Sequence, residues 1–356
     1  LTMARLKKYD SPADWMLDES RVDRPTLDAL ILAMTESLPA FRRYFRAKAA
    51  ALGHPNGLPF YDLFAPLGAS SATYTLDEAR QVLEKALGAF SPELAAFVGR
   101  AFDEKWIDAY PRPGKQGGAF CAGAHPLGIS YILTNFDGSF SSVSTLAHEL
   151  GHAFHNECLK GNSILNADYP MPLAETASIF NETLLTGALM EELSGDALVP
   201  ILEQQICDAA QVVVDILSRY LFETRVFEIR KQRPLPAREL KELMLTAQRD
   251  TYGDGLDGRF LHPYMWACKG HYYSPDLHFY NHPYAFGLLF GKGVYAQYLR
   301  RGPAFVPEYK KLLRATAVGD AADVAASVGI DVRNPAFWRE ALQGIERDID
   351  RLIELL

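Results

Sequence analysis

Residues 145–155 read Thr145-Leu-Ala-His148-Glu149-Leu150-Gly151-His152-Ala-Phe-His155, a His-Glu-x-x-His spacing inside a run with helical periodicity. Positions i and i+4 of a helix share a face, so His148 and His152 can offer two imidazoles to one metal ion with Glu149 beside it as a general base. A hydrolytic zinc site takes three protein ligands and keeps one position open. Downstream, Pro172-Leu-Ala-Glu175-Thr-Ala-Ser-Ile-Phe-Asn-Glu182 sets two glutamates seven residues apart on a face otherwise made of Leu, Ala, Ile and Phe. Glu175 is the candidate third ligand. Glu182, two turns on, can accept a hydrogen bond from the far nitrogen of a ligand histidine and fix its tautomer. Asp168 is a weaker candidate because it precedes Pro170 in a loop-like stretch, and His155 reads as packing or as support behind the ligands.

Outward from this centre the chain is mainly α. Apolar residues recur at helical spacing in Leu27, Leu30, Ile31, Met34 and again in Leu76, Ala79, Val82, Leu83, Leu87. Gly and Pro crowd residues 52–72 into loops, and Pro111, Pro113 and Gly114 close a helix that carries Trp106. Between Gly117 and Asp137 the helical pattern breaks, and Ile129-Ser-Tyr-Ile-Leu-Thr134 reads as part of a hairpin or small sheet beside the metal-binding helix. The piece from Gly128 to Thr134 could serve as an edge strand holding an extended peptide. Further helices are expected from after Gly138 to about Leu159, from about Leu173 to Leu193, from about Asp196 to Arg230, and from Pro236 through Arg249. A long aromatic loop spans Tyr252 to Tyr284. Three helices close the chain, with Asp320 and Asn334 as N-caps and Gly329 just past a C-terminus.

Composition excludes several classes. With 356 residues, 48% hydrophobic and 22% charged, the chain is globular rather than disordered or fibrous, and its net charge of −8 provides no basic face for nucleic acid. Cys121, Cys158, Cys207 and Cys268 lack any paired spacing and read as reduced thiols, which points to a cytoplasmic setting. Charge interrupts the apolar runs before about 18 residues, so no membrane partner is expected. A first residue of Leu rather than Met reads as a trimmed, truncated or tag-derived start.

The segment His148-Glu-Leu-Gly-His152-Ala-Phe-His155, followed by Leu173-Ala-Glu175-Thr-Ala-Ser-Ile-Phe-Asn-Glu182, resembles the M3 family of zinc peptidases, in particular its oligoendopeptidase F branch. Tyr61-Asp-Leu-Phe-Ala-Pro66, Trp106-Ile-Asp-Ala-Tyr-Pro111, Gly114-Lys-Gln-Gly-Gly-Ala-Phe120 and Phe279-Tyr-Asn-His-Pro-Tyr-Ala-Phe-Gly287 are similar to stretches of that branch in the same order. The resemblance implies a zincin-like helical catalytic domain over residues 46–356, with residues 1–45 the remnant of a further helical region. It gives one Zn2+ per chain to His148, His152 and Glu175, and makes Glu149 the base. Oxyanion and substrate contacts go to His271, Tyr280 and Tyr284 in the aromatic loop, although His278 also precedes a Phe-Tyr pair. Phe286 stands where several relatives carry a tyrosine.

The expected activity is endopeptidase cleavage of short peptides by Glu-assisted attack of zinc-bound water. Two alternatives stay open: an exopeptidase like the dipeptidyl carboxypeptidases, and a catalytically silent peptide-binding module.

Overall fold

The computed structural model describes residues 1–68 and 73–356. The end of the loop expected over 52–72, residues 69–72, lies outside the described residues. The chain forms two compact units that interleave in sequence.

The first unit comprises Leu1–Gly68, Val199–Phe286 and Val332–Leu356. Its longest helix, Arg24–Ala51, begins where Asp23 accepts the Thr26 amide at 2.9 Å, and buries Leu27, Leu30, Met34, Phe41 and Tyr44 along one stripe. That stripe packs against Pro335–Leu355 and its buried Trp338. Asn334 caps this last helix by accepting the Ala336 amide. Within the core, Lys48 is fully buried. Its ammonium donates to Glu203 at 2.6 Å and to the Leu63 carbonyl at 2.9 Å, which satisfies a charge that burial would otherwise penalise heavily.

The long helix expected to end at Arg230 is present as Val199–Ala210 and Ile216–Arg230, joined through one π-helical stretch, Gln211–Asp215. This region contains the one window among the described residues apolar and long enough to cross a membrane, at mean hydropathy 1.2; Glu203, Asp208 and Asp215 still interrupt the region's apolar runs, and 61% of that window is buried inside the protein, as for a core helix.

The second unit comprises the described residues of Ala69–Leu198 together with Gly287–Asp331. Helix Leu76–Phe90 starts with a reciprocal capping box between Thr75 and Glu78. The next helix, Pro92–Asp103, stops before Trp106, contrary to the expected helix through that residue. Lys105 adopts φ +59°, its amide donates to the Phe102 carbonyl, and the Trp106 amide donates to Ala101, so the end is a Schellman motif built without glycine. Trp106 then leads into strand β1, Ile107–Asp108.

The small sheet has three strands, with β2 (Phe120–Ala124) antiparallel and β1 parallel to the central β3 (Ile129–Leu133). The segment expected to offer a peptide-binding edge is therefore interior to the sheet, because β1 occupies its far side; the long free edge belongs to β2. Four helices rather than three close the chain, since His282–Arg301 is separated from Val306–Ala315 by one 3-10 turn in which Gly302 takes φ +64°.

The second unit is organised around two helices, Phe140–Cys158 and Thr176–Glu192. Their closest approach is at Gly151, where an added Cβ would lie 2.5 Å from the Ala177 carbonyl oxygen and 2.6 Å from the Ser178 Cα. Both obstacles are backbone, so neither can turn aside. Gly151→Ala is expected to cost about 2–3 kcal/mol and lower the thermal midpoint by roughly 3–4 °C, measurable by calorimetry.

Candidate metal centre

The helix Phe140–Cys158 is started by Ser139, whose hydroxyl accepts the Ser142 amide at 3.2 Å. Val143, Leu146, Ala147, Leu150 and Phe154 bury one face of it. His148 and His152 sit on the margin of that face, half-buried, with ring centroids 4.8 Å apart and nearly perpendicular. Their Nε2 atoms are 3.1 Å apart.

The second helix is not continuous from Leu173 as the sequence suggests. It breaks between Met171–Ala174 and Thr176–Glu192, and Glu175 occupies the break with φ −81° and ψ 3°. The break brings its Oε2 to 3.3 Å from His148 Nε2 and 3.5 Å from His152 Nε2. Ser178 donates to the same oxygen at 2.7 Å. On the other side, Gly287 leaves room for this side chain, since a Cβ there would meet the Glu175 Cβ at 2.7 Å. Two turns beyond Glu175, Glu182 hydrogen-bonds His148 Nδ1. This assigns the proton to Nδ1 and turns the Nε2 lone pair toward Glu175 and His152.

Three atoms that all accept hydrogen bonds thus converge within 4.8 Å of one another. Such a cluster needs positive charge at its middle. A proton is one source: burial works against it, but the hydrogen bonds of Glu175 and Glu182 outweigh burial and hold the His148 imidazole well above its ordinary range. Glu175 is correspondingly held at about 2, its burial outweighed by His148 and His152. A divalent cation is the other source, and two imidazole nitrogens plus one carboxylate oxygen form the donor set that zinc takes in hydrolytic sites. The residues fit that ion.

Glu149 does not join the donor set. Its carboxyl is buried, and Oε2 has no hydrogen-bond partner among the described residues. Burial pushes its pKa up to about 7, with Glu175 and Glu182 adding to the rise and His148 opposing it. A carboxyl poised there can both take and return a proton near neutrality.

The other expected residues divide clearly. Asp168 is exposed, accepts the Tyr169 amide at 2.9 Å, and stays outside the donor group. His155 is fully buried, bonds Thr316 Oγ1 at 2.8 Å and stacks flat on Tyr169 at 4.0 Å, so it packs the helix rather than supporting a ligand. His271, Tyr280 and Tyr284 come together in the first unit: the His271 and Tyr280 rings lie 5.5 Å apart and the two tyrosine hydroxyls 3.1 Å apart. His278 instead packs on Trp15 at 4.5 Å. Phe286 is buried against Trp338 at 5.1 Å.

All four cysteines are free; burial pushes the Cys121 and Cys158 thiols up to about 12, which leaves them unreactive. Cys121, with Trp106, Ser130, Asn156 and Tyr169, also lines a cavity of about 430 Å3 beside the C-terminal half of the histidine helix. Two residues escaped the sequence reading. Ser178 holds Glu175, and Asn181 donates to the Ala147 carbonyl at 3.3 Å, tying the two helices together. Their signal, small polar side chains on an apolar face after Glu175, is visible once the face is known.

Residues 1–344 match the family model described as peptidase family M3. The chain belongs to that family. Among curated M3-type relatives it is 26% identical over 357 residues to Oligopeptidase PepF of Bacillus subtilis, covering 99% of this chain and 52% of the relative. It is also 26% identical over 355 residues to Group B oligopeptidase PepB of Streptococcus agalactiae, covering 99% and 58%. The chain thus spans about half the length of the curated relatives it matches. Solved structures share the fold: a putative peptidase from Chlamydophila abortus superposes with TM-score 0.87 at 23% identity, covering 99% of this chain and 59% of that one. The oligoendopeptidase-F of Enterococcus faecium superposes with TM-score 0.71 at 20% identity, covering 99% and 56%.

The buried His155 carries a pH consequence. Burial holds its pKa down at about 3, against about 6.5 for an exposed imidazole. Between those values the unfolded chain binds one more proton than the folded one, so stability rises with pH and is lost as pH falls from about 6.5 toward 3. In His155→Gln the pH dependence of unfolding free energy is expected to flatten by about 1.4 kcal/mol per pH unit across that window, read from urea unfolding at pH 7, 6 and 5.

Proposed function

We propose that this chain is a zinc-dependent endopeptidase acting on short peptides, with one ion held by His148, His152 and Glu175. The observation that carries the reading is the convergence of their three acceptor atoms beside the buried, unpartnered carboxyl of Glu149. When bound there, zinc supplies Lewis acidity that lowers the pKa of water and polarises a peptide carbonyl. Glu149 then takes the proton of the attacking water and returns it to the leaving amine, a role that its pKa near 7 suits in both directions. Glu182 keeps the His148 proton on Nδ1, so that Nε2 remains a ligand. The resemblance gives His271, Tyr280 and Tyr284 the part of hydrogen-bond donors to the developing oxyanion. The cavity of about 430 Å3 beside the histidine helix is large enough for a side chain of a bound peptide. Membership of a peptidase family supports peptides as the substrate class, and the free thiols agree with work in the cytoplasm.

The test is hydrolysis of an internally quenched peptide of about eight residues, blocked at both ends, by the chain loaded with zinc. Cleavage at an internal bond that stops on adding a chelator is expected; cleavage that persists without metal, or failure to cut any blocked peptide, overturns the reading. Glu149→Gln is expected to bind zinc normally and lose activity by about 10²–10⁴-fold. Glu182→Gln is expected to weaken zinc binding by about 10–100-fold in a competition titration, because its amide no longer holds the His148 proton as a carboxylate does.

A further inference from the structure

The helix Ile216–Arg230 bears two buried charged side chains, Arg219 and Glu223, one turn apart on the same face. Neither takes part in the metal centre. Glu223 Oε1 accepts the backbone amide of Phe279 at 2.7 Å. Arg219, ion-paired with Asp215, donates to the side-chain oxygen of Asn281 at 3.0 Å. The two grips fall on the residues immediately before and after Tyr280. The Phe279 ring is itself buried against the same helix, with centroids 5.5 Å from Tyr220 and 5.4 Å from Phe227, and His282 Nδ1 lies 3.1 Å from the Phe279 carbonyl oxygen. Tyr220, Glu223 and Phe227 follow an i, i+3, i+7 stripe, so a single helix face receives this residue.

Phe279 also adopts φ +50°, a left-handed conformation that a bulky side chain avoids. Such a conformation persists only where its surroundings over-determine it. Here a buried ring, a charged acceptor on its amide and the neighbouring Asn281 contact do so together. The turn they hold sets where the next residue stands, with its hydroxyl 3.1 Å from that of Tyr284 and its ring 5.5 Å from His271.

We infer that Glu223 and Arg219 are positioning residues that clamp the loop on both sides of Tyr280 and so fix the His271–Tyr280–Tyr284 cluster. The inference rests on the proposed peptidase reading for its catalytic consequence, but its structural content stands apart and is tested separately.

The test combines hydrogen exchange and kinetics on the full zinc-loaded chain. In Glu223→Ala, peptides covering residues 276–284 are expected to exchange about tenfold faster or more, while Glu223→Gln, whose amide oxygen still accepts from Phe279, stays within about threefold of wild type. Asn281→Ala, which breaks the other grip from the loop side, is expected to accelerate the same peptides and carries the comparison should Glu223→Ala not fold. Unchanged exchange in Glu223→Ala and Asn281→Ala overturns the clamp. With the quenched peptide, Glu223→Ala is expected to lower kcat by about 10–100-fold with KM within about threefold, and to add less than about twofold to the loss caused by Tyr280→Phe. Losses that multiply in full would show that Glu223 does not act through Tyr280. If the wild-type chain cuts nothing, the peptidase reading fails, and the exchange data still decide the clamp.

Discussion

The second unit depends on one steric fact: the backbones of helices Phe140–Cys158 and Thr176–Glu192 touch at Gly151. Helices normally pack with axes about 8–10 Å apart, the distance set by the side chains between them. Removing the side chain at the crossing lets the second helix approach until Glu182 on it and Glu175 just before it reach the same imidazole from opposite sides, Glu182 at Nδ1 and Glu175 near Nε2. Asn181, bonded to the Ala147 carbonyl, fixes the register of that approach. A shift of one helical residue would move either carboxylate by about 1.5 Å along the axis and rotate it by about 100°, enough to lose one of the two contacts.

Electrostatics sets the terms of this arrangement. Glu149, Glu175 and Glu182 crowd one end of a mostly apolar helix pair, and each charge taken from water costs free energy unless it is compensated. The structure divides the load unevenly. Glu175 and Glu182 keep hydrogen-bonded partners in Ser178 and His148, whereas Glu149 is left with a buried oxygen and a raised pKa. Neighbouring carboxyls are thereby pushed apart, Glu175 held down near 2 and Glu149 raised to about 7, the pattern by which one site can give two carboxyl groups different protonation states.

Much of this was legible in the sequence because helical spacing converts directly into shared faces. His148, His152 and Glu149 follow from the i, i+4 rule, and Glu182 follows from the two turns separating it from Glu175. Two departures are set by backbone turns whose usual residue is missing. The helix ending at Asp103 is closed by Lys105 in a position where glycine is the common signal, so helical periodicity alone runs on through Trp106. The break at Glu175 carries no glycine either, and is stabilised by contacts to the first helix that periodicity cannot reveal. The order of the small sheet depends on β1, two residues long and paired at long range, too short to show any alternation. His155 lies one turn past His152 yet turns to Thr316, a partner 161 residues away.

The two groups of candidate residues illustrate two ways of obtaining rigidity. Candidate residues mounted on helices, such as His148, His152 and Glu182, inherit their geometry from hydrogen bonds internal to each helix, and only the crossing has to be specified; one glycine and one asparagine suffice. Residues on a loop have no such ladder. The stretch Met265–Tyr273 is made of short 3-10 turns, and Phe279 has a backbone conformation with little intrinsic preference. Order there must be supplied from outside, which is why a neighbouring helix commits two buried ionisable side chains and two aromatic rings to the two residues flanking Tyr280. Arg219 keeps Asp215, and Glu223 is left with a pKa near 7. Burying a carboxyl with a single backbone donor is costly in isolation. It becomes intelligible when the donor is the amide of a strained residue, because the same bond that satisfies the carboxylate also holds the turn.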